Sequence, residues 1–272
     1  MVFNQVSSAS HCQHLKAACQ DVGVECLGYL PFSKALKVPS RHLGLSLGAK
    51  KRMDEQIART AELVAHHVDL DRLLECCQTR WIEGKERSLG KGPLKIAVAK
   101  DAAFNFIYRE NLEQLHRLGT VTFFSPLKGD DLPDADLVYL PGGYPELFAH
   151  RLQKQTLLLD ALREYTEQDG KILAECGGMI YLSRSLTNRT GDKHYRMAGV
   201  LPLDCTMEGA RLHLGYRKMF CKGNEWRGHE FHYSDVIQPD ALPSIAVQVN
   251  AKGMEVGTPI YRYKNVIAGY TH

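Results

Sequence analysis

The pattern of apolar and polar residues divides the chain into two blocks. Residues 94–272 alternate short apolar runs with amphipathic stretches, whereas residues 1–80 carry fewer such runs. Between them, residues 81–93 are rich in glycine and charged side chains and end on a proline, a composition typical of a linker between domains. We therefore predict two domains joined by a linker over 81–93.

The second block predicts an α/β fold. Strands are predicted at 94–99, 121–124, 136–140 and 171–175, and helices at 109–118 and 152–167. This alternation favours a mostly parallel sheet with helices on both faces. Beyond Gly191 the apolar runs are shorter and more polar, and the pattern predicts little.

The first block predicts one strand and a long helical stretch. An apolar run at 24–30, ended by Pro31, reads as the strand. Apolar residues recur at three- to four-residue spacing through 50–77, which predicts helix, and Asp69 is placed to cap a second short turn within that stretch.

Composition excludes several classes of protein. The 272 residues are 44% hydrophobic and carry a net charge of +3, so charge gives no reason to expect a nucleic-acid or membrane partner. The chain has no apolar run long enough to cross a membrane and no secretory leader at its start, and we expect a cytoplasmic location. The eight cysteines form no C-x-x-C pair, so we expect neither a structural zinc site nor a disulfide framework.

One cysteine stands out by its setting. The apolar strand at 171–175 runs directly into Cys176-Gly177-Gly178, and a helix is predicted to start there. A residue at such a strand-to-helix elbow lies above the carboxyl edge of the sheet, where α/β proteins bind their ligands, and the helix N-terminus favours thiolate. Cys176 is therefore either a nucleophile or a buried structural thiol beside a turn.

The loop at 141–146 favours the nucleophile. Its Pro-Gly-Gly-Tyr-Pro-Glu sequence ends a different predicted strand and should lie on the same sheet edge as Cys176. Acyl transfer needs backbone N–H groups aimed at the developing oxyanion, and a Gly-Gly turn can supply one without a side chain in the way.

These motifs resemble, in order, those of the cobyrinic acid a,c-diamide synthases, which carry a class I-type glutamine amidotransferase domain. The resemblance rests on segments 95–106, 125–127, 140–146, 174–178, 228–234 and 265–272. It implies that Cys176 attacks the amide carbon of L-glutamine, that His272 is its base, and that the N–H groups of Gly143 and Gly177 form the oxyanion hole. It also implies a corrinoid acid, cobyrinic acid, as acceptor of the ammonia.

The first block resembles the tail of the dethiobiotin synthetase-like ATP-binding domain of that family. Residues 2–6 resemble a late strand of that domain, and residues 28–31 and 41–45 resemble the segment after it. The sequence holds no G-x-x-x-x-G-K-[ST] loop for phosphate, so we expect a fragment that binds no cofactor itself. In the intact family ATP and Mg²⁺ are required, which implies a separate ATP-binding domain or chain as partner.

The remaining histidines suggest less. His229 and His232 are three residues apart in a strand-like segment, which is poor spacing for a metal site, and we expect no metal. Glu230 or His232 is a candidate for substrate recognition. As the last residue, His272 is expected to be loosely fixed, and its α-carboxylate to favour the imidazolium.

Two alternatives stay open. The chain could belong to a diamide synthase acting on another tetrapyrrole, such as the nickel-containing one of methanogens. It could also be a catalytically silent remnant that serves as a binding partner for an ATP-binding chain.

Overall fold

The computed structural model describes residues 1–36, 50–78, 92–237 and 242–272. They fall into two compact units, Met1–Glu86 and Arg87–His272. Most of the predicted linker, residues 81–91, and the segment 41–45 lie outside the described residues. Within the described ranges, no helix combines the length and the hydropathy that a bilayer-spanning segment requires.

The first unit pairs two short parallel strands with helices. In chain order its elements are β1 (Val2–Val6), α1 (Ala9–Asp21), β2 (Gly28–Pro31), a 3₁₀ turn (Lys34–Leu36), α2 (Lys50–His67) and α3 (Leu70–Cys76). Strand β2 pairs in parallel with β1. The buried apolar residues of this unit are Val6, Cys12, Cys19, Leu27 and Val68.

The predictions for this unit were partly right. The helical stretch and its break are confirmed, because the Asp69 side chain caps α3 by accepting from the N–H of Arg72 at 2.9 Å. The strand predicted at 24–30 was placed too early: only residues from Gly28 onward pair with β1, and Pro31 is the last residue of the strand. Helix α1 was not predicted, since it buries only two cysteines and has little apolar periodicity.

The second unit begins with alternating strands and helices and ends mainly in strands. Its elements are β3 (Leu94–Ala99), α4 (Arg109–Leu118), β4 (Gly119–Phe124), β5 (Leu137–Leu140), α5 (Pro145–Leu152), α6 (Thr156–Glu167), β6 (Lys171–Glu175), α7 (Gly177–Leu182), β7 (Ser185–Thr187), β8 (His194–Arg196), β9 (Asp204–Thr206), β10 (His213–Cys221), β11 (Asn224–His232), β12 (Asp235–Ile237), β13 (Val247–Val249), β14 (Glu255–Val256), β15 (Ile260–Tyr263) and β16 (Val266–Gly269).

The main sheet runs in the order β15-β16-β6-β5-β3-β4, and all neighbours are parallel except β15 and β16. Successive residues of β3 face opposite sides: Ile96 and Val98 pack with Leu115 of α4, whereas Ala97 and Ala99 join a core formed with α5, α6 and α7. Helices therefore cover both faces, which confirms the predicted α/β fold.

Two expectations for the second unit need correction. The helix predicted at 152–167 begins only at Thr156, as α6, and a separate helix that was not predicted, α5, ends at Leu152. The weak pattern beyond Gly191 conceals a long antiparallel hairpin of β10 and β11, paired from His213 with His232 to Cys221 with Asn224. Strand β10 alternates half-buried and exposed positions, and the first four residues of β11 are exposed, so neither strand has the continuous apolar run that revealed the parallel strands.

The topology brings three chain segments to one edge. Strands β5, β6 and β16 are parallel neighbours, so their carboxyl ends emerge together. Residues 141–143 follow the first of these strands, Cys176 follows the second, and residues 270–272 follow the third.

Candidate active site

Cys176 occupies a strained turn between β6 and α7. Its φ of 47° lies in the left-handed region that residues other than glycine rarely adopt. Its N–H donates to the carbonyl oxygen of Gly269 at 2.7 Å, which fastens the turn to β16. Strain of this kind persists only where the surroundings impose it and is common at functional sites.

The two glycines after Cys176 are required by close packing. A Cβ built on Gly178 would lie 2.1 Å from the carbonyl oxygen of Leu140. One on Gly177 would lie 2.9 Å from Cδ of Pro145 and 3.0 Å from the nitrogen of Gly143. The start of α7 can therefore approach the loop after β5 only because both residues lack a side chain.

The structure brings the two predicted oxyanion-hole residues together. Gly143, with a φ of 158°, lies beside Gly177, and a Cβ on it would lie 2.0 Å from the carbonyl oxygen of Ala103. The N–H of Gly177 forms a hydrogen bond with the Cys176 sulfur. These contacts leave the Gly143–Gly177 pair next to the thiol, as an oxyanion hole requires.

Cys176 and His272 line one small cavity. Its other lining residues are Phe106, Gly142, Gly143, Tyr144 and Phe231. The cavity measures about 20 Å³, which is room for roughly one water molecule. Any ligand larger than a water molecule can therefore reach the thiol only if neighbouring side chains move aside.

The Cys176 thiol is protonated at neutral pH in this structure. Burial, together with the negative charges of Glu146, Glu175 and Glu230, raises its pKa to about 12. The hydrogen bond from Gly177 lowers the pKa but does not offset burial. The expectation that the helix N-terminus would favour thiolate is therefore wrong for the unliganded site, in which burial dominates.

His272 is well fixed, contrary to the expectation of a loose end. Its N–H donates to the carbonyl oxygen of His229 at 3.0 Å, and the N–H of His229 donates back at 2.7 Å. Its ring packs edge-on against Phe106, with centroids 4.9 Å apart, and stacks on Tyr108 at 5.9 Å. Thr271 before it is buried.

The imidazole of His272 is also neutral rather than the expected imidazolium. Burial, together with the positive charges of His229 and His232, lowers its pKa to about 4. Within the described residues, Nδ1 of His272 is buried and has no hydrogen-bond partner. The site thus combines a neutral thiol with a neutral imidazole, and the sulfur would act as a nucleophile only after it gave up its proton.

Sequence reasoning missed two carboxyl groups close to the thiol. Glu146, in the first turn of α5, has its pKa raised to about 7 by burial. Glu175 accepts from the Tyr139 hydroxyl at 2.6 Å, and burial raises its pKa as well. Glu146 belongs to the motif at 141–146 and Glu175 to the motif at 174–179. Their position close to glycine turns was the signal in the sequence that could have identified them.

Glu230 and His232 do not line the Cys176 cavity. Both are buried and line a larger pocket of about 410 Å³ together with His213. The ligand atoms of His213, Glu230 and His232 lie within 4.8 Å of one another, the one such group among the described residues that could hold a metal ion. However, Glu230 already accepts from Arg217, Thr258 and His232.

Comparison with known proteins identifies a family. The profile of the CobB/CobQ-like glutamine amidotransferase domain matches residues 95–272. A cobyrinate a,c-diamide synthase of Saccharolobus solfataricus is 34% identical over 284 residues, covering 100% of this chain and 64% of that protein. A hydrogenobyrinate a,c-diamide synthase of Rhodobacter capsulatus is 38% identical over 272 residues, covering 95% of this chain and 62% of that protein. One from Brucella abortus is 34% identical over 291 residues, covering 100% of this chain and 65% of that protein. The chain thus spans less than two thirds of the length of these relatives.

Proposed function

The chain belongs to the CobB/CobQ-like glutamine amidotransferase family, and we propose that it supplies ammonia from glutamine for the amidation of the a and c carboxylates of a corrin acid such as cobyrinic acid. The observation that carries the proposal is the meeting of Cys176 and His272 in one cavity, beside the glycine pair Gly143 and Gly177. The proposed corrin substrate follows from the activities for which the relatives are named, since they are cobyrinate or hydrogenobyrinate a,c-diamide synthases.

In the proposed reaction Cys176 attacks the amide carbon of glutamine while His272 accepts its proton. The N–H groups of Gly143 and Gly177 stabilise the oxyanion of the tetrahedral intermediate, a contribution typically worth a factor of about 10² to 10³ per donor. His272 then gives the proton to the departing nitrogen, and ammonia and a thioester result. Water, activated by the same imidazole, hydrolyses the thioester to glutamate and the free thiol.

The neutral pair is the starting state of the proposed reaction. With a thiol pKa of about 12 and an imidazole pKa of about 4, the unliganded site holds its proton on sulfur. The nucleophile is therefore generated only as the substrate engages the site, when the oxyanion donors offset the charge that develops. Such a site resists alkylation and oxidation between turnovers, because the thiolate is the reactive form.

The amidation itself is proposed to need ATP and Mg²⁺, held by a phosphate-binding loop that these 272 residues do not contain. Residues 1–36 and 50–78 are proposed to belong to the end of that ATP-binding domain. The ammonia acceptor is then bound elsewhere, by a domain or chain that carries the phosphate loop.

Two assays test the proposal. The purified chain is first given glutamine alone, and release of glutamate and ammonia in equal amounts supports the glutaminase. It is then combined with a phosphate-loop domain of a relative, ATP, Mg²⁺ and either cobyrinic or hydrogenobyrinic acid, and the diamide is sought by mass spectrometry. Glutaminase without corrin amidation would point to another tetrapyrrole, and no glutaminase under either condition would point to a silent remnant.

A further inference from the structure

Strand β11 separates the nucleophile cavity from a second polar cluster. On one side, the carbonyl oxygen of Phe231 faces the Cys176 sulfur at 3.9 Å, and Phe231 lines the cavity. Because side chains alternate along a strand, Glu230 and His232 project to the opposite side. They line the larger pocket there and are almost fully buried.

The second cluster is a connected ion-pair network. Arg217 of β10 donates through Nε to Glu230, and the side chains of the two residues are 10% and 1% exposed. Glu230 also accepts from Nε2 of His232 at 2.7 Å and from the Thr258 hydroxyl at 2.9 Å. Gly215 makes room for this arrangement, since a Cβ there would lie 2.6 Å from Nη1 of Arg217.

His232 is held on all sides. Its Nδ1 lies 2.8 Å from the carbonyl oxygen of Ser234 and its Nε2 lies 2.7 Å from Oε1 of Glu230, so each ring nitrogen faces an oxygen acceptor. Its ring is sandwiched between those of Tyr270 and His213, nearly parallel to each, with centroids 3.5 and 4.7 Å away.

We propose that Arg217, Glu230 and His232 are positioning residues whose network fixes the back of β11, so that its His229 and Phe231 hold His272 and Cys176 in one cavity. Neither Glu230 nor His232 touches glutamine in this arrangement. The catalytic meaning of the inference rests on the proposed function, but the positioning itself does not.

A metal site is the competing interpretation of the same cluster. It would use His213, Glu230 and His232, whose ligand atoms are close together. The network favours positioning instead, because the carboxylate oxygens of Glu230 already accept from an arginine, a histidine and a hydroxyl. A metal would have to displace these donors and remove the proton from Nε2 of His232.

Glutaminase kinetics give the first test. Glu230→Gln keeps the shape of the side chain but breaks the ion pair, and we expect kcat to fall by roughly ten- to a hundredfold while KM for glutamine stays within about twofold. The control is Glu225→Gln, the same change at an exposed ion pair on the same strand, which should alter neither constant. A rise in KM at unchanged kcat would show that Glu230 contacts glutamine and would overturn the proposal.

Nuclear magnetic resonance of labelled histidine gives a test that needs no turnover. The titratable groups beside His272 are His229, Tyr108 and Cys176, and the charge of His232 acts on it from the other side of β11. His232→Gln removes one nearby positive charge, so the His272 resonance should move and its titration should shift to higher pH. His213→Gln, which alters the stack and the contact of His213 with Asp235 but not the ion pairs of Glu230, should leave both unchanged. No change at His272 in either Glu230→Gln or His232→Gln would overturn the positioning role.

Three further outcomes bear on the positioning role of this network. If a buried-charge variant does not fold, Arg217→Lys replaces it: it keeps the charge but loses the planar donors, and a fall in kcat at constant KM supports the proposal, whereas unchanged kcat overturns it. One equivalent of zinc bound by the parent chain and lost in His213→Gln would establish the metal site and overturn it. If the parent releases no ammonia from glutamine, the proposed function fails, and the His272 resonance still decides the positioning.

Discussion

His229 and His272 exchange both of their backbone hydrogen bonds, at 2.7 and 3.0 Å. The last residue of the chain is thereby attached to β11, which also supplies Phe231 to the nucleophile cavity. Fraying at a chain end is a default that two such bonds overcome, because each removes backbone freedom that the end would otherwise keep. The base candidate is thus positioned by its own main chain as well as by the rings around it.

Hydrogen exchange should show this attachment. We expect the amides of His229 and His272 to exchange at least about tenfold more slowly than those of Gly223 and Lys252, which lie in turns of the same unit. Exchange of the His272 amide at the rate of an unstructured peptide would contradict the described geometry.

Cys176 and Cys205 form a matched pair for testing the nucleophile. Both are buried, and burial raises the pKa of each to about 12. Only Cys176 lines a cavity with an imidazole. A glutamine-like diazoketone should therefore label Cys176 and leave Cys205 untouched, as read by peptide mass spectrometry. Cys176→Ser should lose glutaminase activity by roughly a thousandfold or more, whereas Cys205→Ala should keep it. Labelling at Cys205 would refute the assignment of Cys176 as the nucleophile.

The glycine beside the thiol allows a test of the oxyanion hole. In Gly143→Ala the new methyl would meet the Ala103 carbonyl oxygen at 2.0 Å, so the loop must shift. We expect a loss of about 1–3 kcal/mol in unfolding free energy and a fall in kcat of about a hundredfold or more. Gly257→Ala is the control, because nothing lies within 4 Å of its Cβ and its φ is ordinary. Urea denaturation and ammonia release measure the two effects, and equal behaviour of the two variants would refute the packing argument.

The pH profile should report the depressed pKa of His272. A base with a pKa of about 4 stays neutral down to about pH 5, so kcat/KM should be nearly flat from pH 5 to 7. A histidine with an ordinary pKa near 6.5 would instead give a fall of about thirtyfold over that range. An acid limb centred near pH 6.5 would mean that His272 is not the base or is more exposed than described.

The same shift has a consequence for stability, with a definite sign. The unfolded chain binds a proton at His272 below about pH 6.5, whereas the folded chain does so only below about pH 4. Folding stability attributable to this residue is therefore complete above pH 6.5 and falls as the pH drops through that window. Relative to His272→Asn, the parent should lose about 2 kcal/mol between pH 7 and pH 5. Parallel urea midpoints for the two proteins at both pH values would contradict the shift.

The parallel strands could be predicted from sequence because a strand that is buried on both faces has a continuous apolar run. Strands β3 and β6 begin and end at the predicted residues. The hairpin of β10 and β11 could not be predicted, since alternate residues of β10 are exposed. Its buried side chains also include Arg217 and Glu230, residue types that are usually found on the surface. Helix α1 was not predicted for a related reason, because its buried residues are cysteines.

The candidate site also has a part that could be predicted from the sequence and a part that could not. Cys176, Gly143 and Gly177 lie in local motifs whose geometry follows from a strand, a turn and glycines, and the pattern alone predicted that they share one sheet edge. The protonation of the site could not be predicted, because it depends on burial and on charges from distant segments such as Glu146 and His229. The Glu230 side chain lies on the side of β11 away from Cys176, and its position likewise depends on Arg217, a cross-strand partner thirteen residues away.

Glu146 gives a test of how the carboxylates control the thiol. Burial raises its pKa to about 7, so it is largely protonated below that pH and carries a negative charge above it. That charge disfavours the Cys176 thiolate. In Glu146→Gln the repulsion is absent at every pH, so the thiol should be alkylated by iodoacetamide faster than in the parent above pH 7. Below about pH 6 the two rates should converge, because the parent's carboxyl is then neutral as well. Glu164→Gln, an exposed change on α6, should follow the parent throughout. A constant ratio between the rates of Glu146→Gln and the parent from pH 5.5 to 8.5 would show that Glu146 acts on the thiol through packing rather than through its charge.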